Sequence, residues 1–376
     1  MRCQGFGGGP RRQFGRFTQQ ACFALVERSA KRMVLCVFDP FLWLVVLPWG
    51  YCIFGEFSMN IVVLDGYTLN HGDNPWSSIE RLGELSVYDQ TEPADVVERV
   101  INADVILTNK VKLSGDDITK LPKLKMIGVT ATGYNVVDVE AARERGIPVM
   151  NVPVYSTDAV AQHVFAGLLS FIHRPYEHHL AIQRGDWQSQ EYFSFWLSPL
   201  VELKGKTMGV VGLGRIGRAT AKLADAFGMR VIATSRRNND PLPYDGFEWL
   251  SIEELFSQSD YISLHCPQTP ENAGFVNQKL IGKMKSEAIL INTARGGLLN
   301  EQDLANALKN GEIGGALLDV VSKEPIDESN PLLGIKNCIL TPHIAWSPIE
   351  ARRRLMETVA LNIQSFKDGK PIHVVN

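Results

Sequence analysis

From residue 59 onward, short apolar runs alternate with stretches in which apolar residues recur every three or four positions. The runs predict strands over 60–64, 86–89, 104–109, 125–129 and 148–152, with helices over 76–82, 94–102 and 137–145 between them. A longer helical pattern covers 156–173 and leads through an aromatic loop (Trp187, Tyr192, Phe193, Phe195, Trp196) into a second series. That series predicts strands over 208–211, 231–234, 261–266, 288–294, 314–320 and 338–342. Helices over 278–284 and 302–310 lie within it, and a last helix covers 348–368. Strands alternating with helices at this spacing predict parallel sheets covered on both faces. Two such series imply two α/β domains, and the final helix is long enough to return to the first. Two connections between domains make a hinge, with an expected ligand cleft.

The most informative turn lies between the first two strands of the second series. Gly212-x-Gly214-x-x-Gly217 follows an apolar strand and opens a helix with Ala219, Leu223, Ala226 and Phe227 on one face. Gly212 permits the tight turn, Gly214 lets the backbone approach a pyrophosphate, and Gly217 lets helix and sheet pack closely. The helix N-terminus adds free N–H groups and a positive dipole end. The expectation is a Rossmann unit that binds a nicotinamide dinucleotide. Where the second strand ends, the chain carries Ser235-Arg236-Arg237 and no carboxylate. A hydroxyl and two guanidiniums suit a 2′-phosphate, so NADP(H) is expected over NAD(H).

The 376-residue length suits two cores, and 45% hydrophobic with 21% charged residues is ordinary for a globular chain. A formal charge of −3 gives no sign of a nucleic-acid partner. Residues 1–58 differ: they are net basic and hold Cys3, Cys22, Cys36 and Cys52, leaving only Cys266 and Cys338 for the body. Two cysteines make no disulfide framework and fit a reducing, cytoplasmic setting. The apolar run before Met59 is broken by Asp39, Pro40 and Pro48. Its uncharged part falls short of the ~20 residues of a spanning helix. The favoured reading is a start-site extension, with the functional chain beginning at Met59. A targeting or tethering segment and a folded role are the alternatives. No membrane contact is expected of the body.

Three residues carry candidate chemistry, each just past a predicted strand of the second series: Arg295 in Thr293-Ala294-Arg295-Gly296, Glu324 before Pro325, and His343 after Pro342. Ligands gather at the carboxyl edge of such sheets. A cation to hold a substrate carboxylate and a histidine steadied by an acid are what a nicotinamide enzyme asks of its protein. The other histidines (His163, His173, His178, His179) read as helix or loop residues, with His265 lining the cofactor site. No metal-spaced Cys/His pairs and no Gly-x-Ser-x-Gly elbow occur, so no metal is expected.

Over residues 59–376 the chain resembles the D-isomer-specific 2-hydroxyacid dehydrogenases. The resemblance rests on the glycine fingerprint, His265-Cys266-Pro267, Thr293-Ala294-Arg295-Gly296, Glu324-Pro325 and Pro342-His343. Within the family, LDGYTLN (64–70), LTNK (107–110), ATGYNVVDV (131–139), NVPVYSTDAVAQ (151–162) and PHIAW (342–346) are similar to the glycerate dehydrogenase, or hydroxypyruvate reductase, group. The resemblance implies two doubly wound parallel-sheet domains. A flavodoxin-like substrate domain (59–155 plus 346–376) would hold an inserted Rossmann domain (156–345), linked by hinge helices. It implies catalytic Arg295, Glu324 and His343, and substrate binding by Thr132, Gly133 and Arg295; Lys110 is a further candidate for the substrate pocket. For the cofactor it implies Arg215, Ile216, Ser235, Cys266, Thr293 and Asp319; together with Gly212, Gly214, Gly217, Arg236 and Arg237, the expected cofactor set also takes in Thr132, Ala294, Arg295, His343 and Trp346. The expected reaction is reduction of hydroxypyruvate, and glyoxylate, to D-glycerate and glycolate by a homodimer. The alternative is a dinucleotide-sensing, corepressor-like binding protein of the same fold.

Overall fold

The computed structural model describes residues 58–236 and 240–376, together with the backbone of four short strands ahead of them. Those strands, β1 (Cys22–Val26), β2 (Met33–Asp39), β3 (Leu42–Val46) and β4 (Cys52–Glu56), pair in that order as an antiparallel sheet. The readings offered for residues 1–58 otherwise lie outside the described residues, as does Arg237. The chain divides into two compact units, 1–155 with 353–376, and 156–352.

In the first unit, β5 (Met59–Val63), β6 (Gly83–Val87), β7 (Val105–Thr108), β8 (Met126–Val129) and β9 (Val149–Met150) form a five-stranded parallel sheet in the order β6-β5-β7-β8-β9. This is the flavodoxin-like strand order. Every residue of β7 and β8 is buried, as parallel strands covered on both faces must be. Val62, Ile106, Ile127 and Val149 lead the core. The helices are short: α1 (Ser77–Glu80), α2 (Val96–Val100), α3 (Gly115–Thr119) and α4 (Val139–Glu144). The chain end returns to this sheet, where Met150 bridges Val374 and the Val375 N–H donates to the Val149 carbonyl at 2.9 Å.

The second unit opens with α5 (Thr157–His173) and α6 (Pro175–Gln183). It continues as β10 (Thr207–Val211), α7 (Arg215–Ala226), β11 (Arg230–Thr234), β12 (Glu248–Trp249), α8 (Ile252–Gln258), β13 (Tyr261–Leu264), α9 (Gln278–Ile281), β14 (Ile289–Asn292), α10 (Glu301–Lys309), β15 (Gly315–Leu318) and β16 (Cys338–Leu340). Its seven-stranded parallel sheet runs β12-β11-β10-β13-β14-β15-β16. Strand order therefore reverses beside β10, and at such a switch point the connections diverge and leave a crevice at the carboxyl ends. Two buried clusters cover the faces, one led by Leu255, Ile262, Leu290 and Leu318, the other by Val164, Leu168, Val210 and Ile291. The doubly wound, Rossmann-type reading of this half is thus what the chain adopts.

The boundary between units falls within α11 (Ile349–Lys367), later than the 345/346 position taken from sequence. The helix is continuous, so no turn residue marks the division.

The fingerprint glycines have separable roles. A Cβ on Gly217 would lie 2.2 Å from the Gly212 carbonyl oxygen and 3.2 Å from Val210 Cγ1, whereas one on Gly214 would meet nothing within 4 Å. Gly217→Ala should therefore destabilise the chain by about 1–3 kcal/mol through overpacking. Gly214→Ala, at an N-cap position, should cost about 1 kcal/mol or less. Denaturant titration of the two variants checks that order; equal losses would refute the packing argument.

Candidate active site

The carboxyl edge of the seven-stranded sheet collects the reactive side chains. At the end of β14, Asn292 is fully buried and staples the following turn: its amide donates to the Arg295 carbonyl at 2.8 Å and its Oδ1 accepts the Ala294 N–H at 3.0 Å. The turn leaves Arg295 exposed in extended conformation, with Nη1 donating to the Ala294 carbonyl at 2.7 Å. Past β15, a Cβ on Gly296 would lie 1.9 Å from the Val321 carbonyl carbon, so the Arg295 turn and the Glu324 loop touch through backbone. Glu301, in the first turn of α10, clamps the same loop. Its carboxylate accepts the Ser322 N–H at 2.6 Å, the Ser322 hydroxyl at 2.8 Å and the Asn330 amide at 2.9 Å.

Past β16, His343 sits at φ 55, a left-handed conformation uncommon for a residue with a Cβ. Its Nδ1 lies 2.7 Å from Glu324 Oε2, with the side chains 26% and 34% exposed. An ionised carboxylate only accepts, so Nδ1 bears the hydrogen and Nε2 is the atom left to exchange a proton. Strained backbone of this kind persists where its surroundings over-determine it. Here Asp319, 1% exposed, accepts the Thr341 hydroxyl at 2.6 Å and the Ile344 and Ala345 N–H groups at 2.8 and 2.9 Å. Asp319 thus faces the loop of His343. The other assigned residue there, Trp346, follows half-buried.

At the switch point, Gly212 adopts φ 95 and packs against the backbone of Cys266, where a Cβ would lie 2.7 Å from the Cys266 nitrogen. Gly214 and Arg215 are exposed, and Ile216 is half-buried. Ser251, Asn277 and Asn300 side chains cap α8, α9 and α10, whereas α7 has no side-chain cap at Gly214. Its first N–H groups are thereby left for an anion, and the open space at Gly214 gives a phosphate room to approach. The Thr293 hydroxyl is buried without a protein partner, as expected of a group whose partner is a ligand. These features fit a dinucleotide.

Ser235 is half-buried and Arg236 exposed. Burial pushes the Cys266 thiol up, against a downward pull from Arg236. The Thr269 hydroxyl holds the Glu271 carboxyl below its usual range, with Arg236 contributing in the same direction. Arg236 therefore stands within electrostatic reach of the segment past β13. His265, just past β13, bonds the Ser263 hydroxyl through Nε2 at 2.9 Å, and burial pushes its ring down to about 4. It is neutral at pH 7.

In the first unit, Thr132 donates its hydroxyl to the Val152 carbonyl at 2.8 Å and accepts the Asn151 amide at its own carbonyl at 2.7 Å, which fixes the Thr132-Gly133 turn. Lys110 is exposed on a loop whose N–H groups at Asn109, Lys110 and Val111 all point at the Asp65 carboxylate, at 2.8, 2.5 and 3.0 Å. Asp65, Asn292, Glu301 and the partners of Asp319 were not singled out from sequence. Each acts through hydrogen bonds that no motif announces. Among the described residues no helix is long and apolar enough to cross a membrane.

The sequence profile of the D-isomer specific 2-hydroxyacid dehydrogenase NAD binding domain matches residues 165–345. Hydroxypyruvate reductase of Blautia hydrogenotrophica is 49% identical over 85% of this chain and 100% of its own length. Glycerate dehydrogenase of Methylorubrum extorquens is 41% identical over 78% and 92%. Among solved structures, an NADPH-dependent glyoxylate/hydroxypyruvate reductase of Sinorhizobium meliloti, in complex with NADP and malonate, superposes with TM-score 0.72 at 29% identity, covering 85% of this chain and 97% of that one. The chain belongs to the D-isomer specific 2-hydroxyacid dehydrogenases. It is an oxidoreductase that uses a nicotinamide dinucleotide and a small 2-keto or 2-hydroxy acid.

The His265 ring ties acid stability to this site. An unfolded histidine titrates near 6.5 and the folded ring near 4, so between these values the unfolded chain holds the extra proton. The contribution is complete above about pH 6.5 and is lost as pH falls toward 4. Melting temperatures measured across that window should fall less steeply in His265→Gln than in the parent; parallel curves would contradict the buried neutral ring.

Proposed function

We propose that the protein reduces hydroxypyruvate, and glyoxylate, to the D-hydroxy acid, with NADP(H) favoured over NAD(H). The observation that carries the reading is the 2.7 Å Glu324–His343 pair at the same sheet edge as the exposed Arg295. The activities named for the two bacterial relatives and the NADPH-dependent structural neighbour support the substrate class.

The chemistry supplied by a bound nicotinamide is transfer of a hydride to or from C2 of the acid. The protein handles charge and protons. Arg295 neutralises the substrate carboxylate and polarises the 2-oxygen, as a guanidinium does best with paired N–H donors. Glu324 keeps the His343 ring turned by accepting Nδ1–H, so Nε2 delivers the proton to the 2-oxygen in reduction and takes it back in oxidation. Lys110, Thr132 and Gly133 are assigned to the substrate. Gly212, Gly214, Arg215, Ile216 and Gly217 are assigned to the pyrophosphate, and Ser235 and Arg236 to the adenosine 2′-phosphate. Arg236 carries the NADP(H) preference because a charge-assisted bond to that phosphate has no counterpart in NAD(H).

In the same reading the protein is cytoplasmic and works as a homodimer. Support for the dimer comes from the loop after α6, where Tyr192, Phe193 and Trp196 are 75%, 90% and 66% exposed. So much aromatic surface marks an interaction site.

Nicotinamide absorbance followed with hydroxypyruvate, glyoxylate, pyruvate and formate, each with NADPH and NADH, tests the reading. Hydroxypyruvate with NADPH should turn over fastest, and Arg236→Ala should raise the KM for NADPH about 10- to 100-fold while leaving NADH unchanged. NADH-only turnover would sink the phosphate pocket. Tight cofactor binding with no turnover on any acid would favour a sensor.

A further inference from the structure

The left-handed turn at His343 is held by Asp319, and Asp319 is itself held. Its Oδ1 accepts the Thr341 hydroxyl at 2.6 Å and the Ile344 N–H at 2.8 Å, and its Oδ2 accepts the Ala345 N–H at 2.9 Å. An ionised carboxylate cannot donate, so the Thr341 proton points to Asp319. The Thr341 oxygen is then an acceptor for its other neighbour. That neighbour is His163, in the middle of α5, whose Nε2 lies 3.1 Å from Thr341 Oγ1 and 3.6 Å from Asp319 Oδ1. The donors therefore run one way, from the His163 Nε2–H to Thr341 and from the Thr341 hydroxyl to Asp319, where the two amides that follow His343 also converge. Three side chains from three elements, all within one unit, fix a turn that its own backbone disfavours.

We propose that His163, acting through Thr341 and Asp319, is a positioning residue for His343. It touches neither cofactor nor substrate. Its task is to lock the Thr341 hydroxyl so that Asp319 keeps both oxygens on the loop. The inference rests on His343 being the proton group of the reaction.

The test uses the full 376-residue chain in four variants, His163→Leu and Thr341→Val, with His163→Gln and Thr341→Ser as conservative partners that keep a donor in place. Hydrogen–deuterium exchange of the peptide containing Ile344 and Ala345 reports the turn directly, and kcat with hydroxypyruvate and NADPH reports its consequence. His163→Leu and Thr341→Val each remove a donor from the chain, so exchange at these two amides should rise about tenfold or more. The kcat should fall about 10- to 100-fold, as displacement of a reacting group by about 1 Å does. The KM for the acid and the Kd for NADPH should stay within about threefold, and the two conservative variants should recover most of the loss. Unchanged exchange at Ile344 and Ala345 overturns the inference and leaves the proposed function standing. Exchange that rises uniformly across the unit, α10 included, overturns it by showing a general loss of stability. Faster exchange with an unchanged kcat overturns the assignment of His343 on which the inference rests.

Discussion

The hydrogen bond between Glu324 and His343 is the contact that the loops of the second unit have to hold in place. At 2.7 Å it leaves little tolerance, yet its partners sit on loops after different strands. Loops move unless their backbone groups are satisfied locally. The sheet supplies the first restraint, since β15 and β16 pair in parallel register and bring both loops to one edge. Buried or clamped polar side chains supply the second. Asn292 closes the Arg295 turn, Glu301 grips Ser322 two positions before Glu324, and Asp319 grips the peptides after His343. Asn292 and Asp319 are buried, so removing either strands polar groups away from water.

The dinucleotide end of the edge depends on a different physics. There the requirement is space and unsatisfied donors rather than clamped side chains. Gly217 brings α7 onto the sheet, Gly212 turns the chain past Cys266 at φ 95, and Gly214 leaves the helix end open and uncapped. Aligned peptide dipoles then favour an anion at that end. Of the helices that follow strands of this sheet, α8, α9 and α10 carry side-chain caps and α7 does not, so the glycine turn leaves its terminus open.

Much of this was legible in the chain. Buried parallel strands announce themselves as apolar runs, and the expected strands overlap those observed, although 148–152, 261–266, 288–294 and 314–320 run on into the turns that follow β9, β13, β14 and β15. β6 starts three positions ahead of the expected 86–89 because its exposed edge position, with residues 83–87 only half covered, weakens the apolar signal. The helices α3, α6 and α8 and the two-residue strand β12 were not anticipated. For α3 and α8 a signal existed: Ser114 with Asp117 and Ser251 with Glu254 form capping boxes. For α6, Pro175 at the first position was the cue. The candidate site was legible where residue type carries the chemistry, at Arg295, Glu324 and His343. It was not legible where a residue works through backbone or a distant side chain, because the partners of Asp65, Glu301 and His163 lie 44 to 46, 21 to 29 and 178 positions away.

In the proposed mechanism Glu324 and His343 act as one unit, and a double-mutant cycle on kcat tests that directly. Glu324→Gln and His343→Ala are each measured alone and together, with cofactor affinity checked in every variant. If the carboxylate works only through the ring, each single change lowers kcat, and Glu324→Gln costs nothing further once the ring is gone. Losses that multiply in the double variant would show two independent roles and contradict the pair as the proton-transfer unit.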